Sequence, residues 1–221
     1  MIITNAGNTF DVTTESSAAI PRRRRPRGRY PKTPDGADPK RQKRIPEYLE
    51  PDEVNAIIRA APNPKAKLLM LEQWRAGLRV SEALVLEVRD LPLDTPSPTI
   101  RVRSGKGGKT RMVPVHPELH GALGSALAYG DISQGIIVDA HPATAWRWVQ
   151  AAVKRAEELG AIVPGKRVGT HTLRHSYARH LLMNGIPINY LSRWLGHSSI
   201  QTTLIYLELV PDPTGSLAMV P

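Results

Sequence analysis

Residues 170–206 read THTLRHSYARHLLMNGIPINYLSRWLGHSSIQTTLIY, and four side chains within them suit one reaction. His171 and Arg174 stand three apart on a helical pattern, so they share a face. His197 follows a glycine stop, and Tyr206 comes nine residues after it. A guanidinium presents a planar fork that matches two phosphate oxygens. An imidazole donates to a third oxygen or moves a proton. A tyrosine hydroxyl, with a free pKa of ~10, becomes a useful nucleophile when nearby cations stabilise its phenolate. Together these groups suit attack on a phosphodiester without a metal.

Each residue alone has a plainer explanation. His171, His175 and His180 read singly as helix-surface or satisfied core histidines, and Tyr206 as a packed aromatic. The i, i+4 spacing of His171 and His175 also fits a metal pair, but no HExxH and no cysteine accompany it, so no metal is expected. The argument for chemistry is that the four arrive together.

Helices must hold them. Thr170 is a good N-cap for a helix running to Asn184, closed by Gly185, with Leu173, Tyr177 and Leu181 as its apolar stripe. INYLSRWL is a second amphipathic helix, stopped by Gly196. SSIQTTLIY reads as a third, capped by Ser198 or Ser199.

Upstream, Pro51 suits the first position of a helix carrying Val54, Ile57 and Ile58. KAKLLMLEQWRAG is a second helix ended by Gly77, and SEALVLEVRDL a third, capped by Ser81. Arg79 sits in the link between them. Leu78 and Val80 would pin its backbone, and Glu82 is near enough to orient its guanidinium. On its own it reads as an exposed linker cation with Glu82 as a surface partner, and only the downstream residues turn the reading toward catalysis.

TIRVRSGKGGKTRMVPV reads as a β-hairpin whose glycines supply the turn, with Lys106 and Lys109 in the loop. A P-loop reading fails, because GKGGKT lacks the first-glycine spacing and lies between two strands. PATAWRWVQAAVKRAEELG is a long helix with Trp146, Val149, Val153 and Ala156 on one face. Lys166 and Arg167 precede the histidine–arginine helix and could meet backbone phosphates. The pattern is mainly α with a small β-hairpin or sheet, and there is no internal repeat.

The 221 residues can bury one sizeable core. The formal charge of +10 favours a polyanionic partner, most simply nucleic acid. That charge is uneven. Residues 1–45 hold 11 Lys or Arg against 4 Asp or Glu, a net of +7. This stretch, with Arg22, Arg23, Arg24, Arg25 and Arg27 among prolines, reads as a disordered basic tail. It could lie along phosphates or in a minor groove. There is no cysteine, no signal peptide and no apolar run long enough to span a membrane, so a cytoplasmic, DNA-associated protein is expected.

H-x-L-R-H followed by L-G-H-S-S-I-x-T-T-x-x-Y resembles the C-terminal signature of the tyrosine recombinases, the phage integrase family. A-G-L-R-V-S-E-A-L resembles that family's first arginine box, and G-K-G-x-K-x-R-x-V-P its β-hairpin. The resemblance covers residues 46–212 and implies the catalytic-domain fold of the DNA breaking-rejoining enzymes there, with a short tail at 213–221. It implies that Tyr206 attacks the scissile phosphate of double-stranded DNA to give a 3′-phosphotyrosyl link. Arg79 and Arg174 would neutralise the non-bridging oxygens, with Glu82 in support. His171 would assist proton transfer from Tyr206, His197 would bond the phosphate, and Lys106 would be the general acid. No cofactor is needed, because the covalent link retains the phosphodiester's energy.

Exchange in the family occurs between duplexes held by four protomers, so a homotetramer on DNA is expected. The family's helical core-binding domain is not recognisable before residue 46, which leaves room for an accessory DNA-clamping protein. Two alternatives stay open at this point. One is relaxation of DNA in the manner of a type IB topoisomerase. The other is a DNA-binding accessory protein that does not cleave alone.

Overall fold

The computed structural model describes residues 46–91, 95–103, 110–130, 132 and 135–210. The basic arginines at 22–27, the hairpin lysines Lys106 and Lys109, and the C-terminal tail lie outside them. Eight α-helices and one two-stranded antiparallel sheet make up the described fold: α1 (Pro51–Arg59), α2 (Pro64–Arg75), α3 (Val80–Ala83), β1 (Thr99–Val102), β2 (Arg111–Pro114), α4 (Pro117–Ala128), α5 (Pro142–Glu158), α6 (Thr172–Met183), α7 (Ile188–Leu195) and α8 (Gln201–Leu204). Two short 3₁₀ turns, Val88–Asp90 and Leu207–Leu209, complete it. The mainly helical pattern with one small sheet is therefore what the chain adopts.

The centre is α2, which packs against α1, α3, α4, α5 and α6. Leu68, Leu69, Met70, Leu71 and Trp74 are all buried, and so are Glu72 and Gln73 between them. A helix covered on all sides must bury whatever its sequence places there. Neither oxygen of Glu72 has a hydrogen-bond partner among the described residues, and its side chain is fully buried. Burial pushes this carboxyl well above the usual range, because losing water penalises its charged form. Its pKa is raised on folding, so the stability it permits is present at low pH and lost as pH rises through the folded pKa. Glu72→Met keeps the volume and removes the orphaned oxygens. It should raise stability at neutral pH by about 1–3 kcal/mol and flatten the alkaline loss, as read from urea midpoints at pH 6 and 8. A midpoint lowered at both values would show that Glu72 has a bonding partner after all.

Three elements differ from the sequence expectation. The third helix is a single turn: past Ala83 the chain leaves the helix, and a bridge pairs Glu87 with Ile136, flanked by bonds from Val88 N to Gly135 O and Ile137 N to Leu86 O. These backbone bonds to a distant segment replace helical ones. On α5 the core face is Ala145, Val149, Ala152, Val153 and Ala156, while Trp146 is 53% exposed and Trp148 half-buried. Small alanines, rather than a tryptophan, make up most of the buried face of α5, whose most extensive packing is on α1. Finally, the segment containing Tyr206 is not one helix but α8 followed by the second 3₁₀ turn.

The hairpin register pairs Thr99 with Pro114, Ile100 with Val113, Arg101 with Met112 and Val102 with Arg111. Ile100, Val102 and Val113 point into the core. β2 lies against α7, which brings Arg111 to the end of that helix.

Candidate active site

Arg79 occupies the N-cap position of α3, and its backbone N–H donates to Glu82 Oε2 at 2.7 Å. That fixes the arginine's main chain at a helix start, where an orphan donor needs an acceptor. Its Nη1 returns to the same carboxylate at 2.8 Å, and Nη2 points to Gly196 O at 3.4 Å. Glu82 is thus the hub of the site. Arg111 grips both its oxygens in a fork, Nη1 and Nη2 each at 2.8 Å, and Arg174 Nη1 lies 3.6 Å away. Burial pushes the Glu82 carboxyl up, but the Arg111 fork, the Arg79 amide and the charges of Arg111 and Arg174 overcome it, and the pKa falls to about 2.

Arg174 is buried on α6. Its Nη1 donates to Gly77 O at 2.5 Å and its Nη2 to Leu195 O at 2.6 Å. Burial and Arg79 pull its pKa down to about 10, against the opposing pull of Glu82. The carbonyl of Gly77 is available because that residue turns back with φ +61°, and a Cβ there would stand 2.4 Å from Tyr177 Cε1. Gly196 also has positive φ, +63°, and its missing Cβ leaves room for the Arg111 guanidinium, which a methyl would meet at 2.9 Å. Arg111 Nε donates to Trp194 O at 2.6 Å, so this one side chain ties β2, Glu82 and the end of α7 together.

His197 follows Gly196. Its Nδ1 is 2.8 Å from the buried Thr203 hydroxyl, and its Nε2 is 3.4 Å from Arg174 Nη2. Burial, then Arg174, Arg79, Arg111 and His175, hold its pKa near 4, so the ring is neutral at pH 7. Tyr206 is 2% exposed, its ring parallel to that of His197 within 15°. Its hydroxyl lies 2.8 Å from His175 Nδ1. Burial raises the phenol pKa above its ordinary value despite the opposing charges of Arg174 and Arg79. The segment after Tyr206 is anchored by Arg179, whose Nε donates to Leu209 O and whose Nη1 pairs with Glu50, both at 2.9 Å.

His171, not Thr170, holds the N-cap position of α6. It stands at the rim, its pKa lowered by lost hydration and by Arg174 and Arg79, with its ring 6.4 Å from that of His175. The fold therefore gathers Arg79, Glu82, Arg174, His197 and Tyr206, with His171 at the edge. Lys166 does not stand free for phosphate: its Nζ pairs with Glu53 at 2.5 Å, while Arg167 is exposed. Three residues of the site carried no role in the sequence reading. Arg111 was present only as the arginine of the hairpin pattern, His175 as one of several helix histidines, and Thr203 as part of the third helix and of the L-G-H-S-S-I-x-T-T pattern. Their signal was spacing within recognised motifs, without a contact to interpret it.

A family model described as the phage integrase family matches residues 47–211. A tyrosine recombinase of Thermosipho africanus (strain TCF52B) is 35% identical over 181 residues, which are 77% of this chain and 60% of that relative. The crystal structure of XerA recombinase superposes with a TM-score of 0.64 at 32% identity, over 83% of this chain and 65% of the other. The catalytic domain of bacteriophage HP1 integrase gives a TM-score of 0.58 at 27% identity, over 79% of this chain and 94% of that domain. With the family model covering most of its length and the site assembled from the same boxes, the chain belongs to the phage integrase family, the tyrosine recombinases.

Proposed function

We propose that residues 46–212 form a catalytic domain that cleaves and rejoins duplex DNA site-specifically through a 3′-phosphotyrosyl link at Tyr206. The observation that carries this reading is one buried tyrosine hydroxyl, hydrogen-bonded to His175 and stacked beside His197, that feels the charges of Arg79 and Arg174, with His171 at the edge. An anion entering there meets Arg79 and Arg174, already oriented by Glu82, so little reorganisation is needed as charge develops on the phosphorane oxygens. His197, oriented by Thr203, adds a hydrogen bond to the phosphate, and His171 stands at the rim on the same side. Lys106 is the general acid for the 5′-oxygen in this reading. Tyr206 supplies the oxygen, and the link conserves the phosphodiester's energy for rejoining.

DNA is the partner. The XerH recombinase, a neighbour of the same fold (TM-score 0.64, 23% identity), was solved with its difH substrate. Four protomers on two duplexes, the basic stretch with Arg22, Arg23, Arg24, Arg25 and Arg27, and Lys109 and Arg167 as phosphate contacts complete the proposal, with an accessory clamping protein where the chain alone does not hold its site; Lys166, paired with Glu53, is left out of the phosphate contacts. Among the described residues no helix is long and apolar enough to cross a membrane. The chain spans 60% of the length of the Thermosipho relative, so its own activity is the point to establish. The compact boxes around Arg79 and His197 favour recombination over relaxation.

The test uses nicked duplexes, tiled across DNA flanking the chain's own coding region, that lose a short fragment on cleavage. A denaturant-resistant adduct, mapped by mass spectrometry to Tyr206, supports the reading. Product joining between two duplexes, rather than loss of supercoils from one, identifies recombination. Tight specific binding without an adduct on any duplex would turn the assignment to the non-cleaving accessory.

A further inference from the structure

We infer that His175, the second histidine of H-x-L-R-H, accepts the Tyr206 proton during attack. This rests on the recombinase reading and assigns a step within it.

Geometry comes first for a general base. Among the described residues, His175 Nδ1 meets the Tyr206 hydroxyl at 2.8 Å, while no hydrogen bond joins that hydroxyl to His171 or His197. His197 Nδ1 is held by Thr203 at 2.8 Å, and its Nε2 faces Arg174 at 3.4 Å, among the arginines rather than toward the tyrosine hydroxyl. His171, the N-cap residue of α6 to which the family resemblance assigns this proton transfer, sits one turn before His175 at the rim, its ring 6.4 Å from that of His175. The three histidines thus divide by position: His171 and His197 beside the arginines, His175 behind the nucleophile.

The need for an acceptor follows from burial. Tyr206 enters the reaction as a phenol, because the two guanidiniums do not offset the loss of water around it. His175 is neutral at pH 7, held near 4 by burial, His171 and Arg174, so a ring lone pair is open to receive a proton. The charged and titratable groups around it are His171 at the N-cap of α6, Arg174 on α6, Tyr206 beyond α8 and His197 after α7, and Arg79 acts on Tyr206 beside it. A phosphodiester arriving among those cations offsets them and raises the basicity of His175 when it is called upon.

The step balances. The tyrosine O–H breaks as Nδ1–H forms, the phenolate oxygen bonds phosphorus, and the P–O5′ bond breaks with O5′ taking a proton from the general acid. In rejoining, the 5′-hydroxyl gives its proton back to the general acid's conjugate base as O5′ bonds phosphorus, the bond from phosphorus to the tyrosine oxygen breaks, and the imidazolium returns its proton to the departing phenolate.

Two measurements test this. Long-range ¹H–¹⁵N NMR of the free protein reads the tautomer without DNA. The expected result is Nε2–H with Nδ1 as an acceptor whose shift moves in Tyr206→Phe; a proton on Nδ1 overturns the inference. Single-turnover trapping on a nicked duplex then compares the parent with His175→Asn, which keeps an acceptor near Nδ1 without its basicity. Adduct formation at pH 7 should slow about 10²–10³-fold, with duplex affinity and melting temperature near parental. A 5′-bridging phosphorothiolate duplex, whose leaving group needs no acid, should rescue Lys106→Ala and not His175→Asn. An Asn variant at the parent rate, or one rescued by the thiolate, overturns the assignment while the recombinase reading stands. Failure of the parent to form any adduct overturns both.

Discussion

Tyr206→Phe should reduce the denaturant-resistant adduct by at least about 10⁴-fold, because on the proposed reading it removes the oxygen that bonds phosphorus. The fold should survive. The phenylalanine ring keeps the buried packing beside His197, and the loss is confined to one hydrogen bond with His175. Leaving His175 Nδ1 without its partner costs about 1–2 kcal/mol, within what a domain of this size tolerates. Duplex binding should be close to parental, since the guanidiniums of Arg79 and Arg174 keep every bond that orients them. Trapping and electrophoretic binding on the same nicked duplex separate the two properties. An adduct of parental yield in the variant would sink Tyr206 as the nucleophile and direct attention to the histidines.

How much of this site a reader could extract from the chain depends on the distance over which each residue finds its partner. Arg79 and Glu82 are three apart, and a helix start explains their contact locally. Arg174, His197 and Tyr206 are legible through motif spacing, which stands in for coordinates. Arg111 is different. It reaches Glu82 across 29 positions and Trp194 across 83, and nothing periodic in the sequence announces either contact. Among His171, His175 and His180 the residue type is identical, so only the path of the chain after α8 determines which ring meets the tyrosine. The misplaced Trp146 has a similar origin: a hydrophobic stripe of tryptophan and valine and a stripe of alanines and valines both have helical period, and close approach to a neighbour selects the smaller one. Glu72 escaped notice because a charged residue on a helix reads as a solvent face, whereas α2 has none over most of its length.

That long-range hub yields the other large effect. Glu82→Gln should cost on the order of 3 kcal/mol of stability at neutral pH and slow adduct formation by about 10²-fold or more. The carboxylate is the shared anion of Arg79, Arg111 and Arg174, and among the described residues no other carboxylate pairs with any of them. A carboxamide retains one acceptor oxygen but turns an N–H donor toward a guanidinium, so three cations face one another with no charge between them. The side chain is 10% exposed, so solvent screens this little. Its acid dependence identifies the cause. The folded carboxyl titrates near 2, below the unfolded value of about 4.3, so the native state binds fewer protons between those limits. Its contribution is fully present above the unfolded pKa and disappears as pH falls through 2. The gap between parent and variant should therefore be constant from pH 5 to 8, narrow below 4 and nearly close at 2, while the acid loss from His175 and His197 largely cancels in the difference. Urea midpoints across that range measure it. A gap still full-sized at pH 2 would mean that Gln disturbs packing rather than charge, and Glu82 would then be a structural residue near the site instead of the group that aims its arginines.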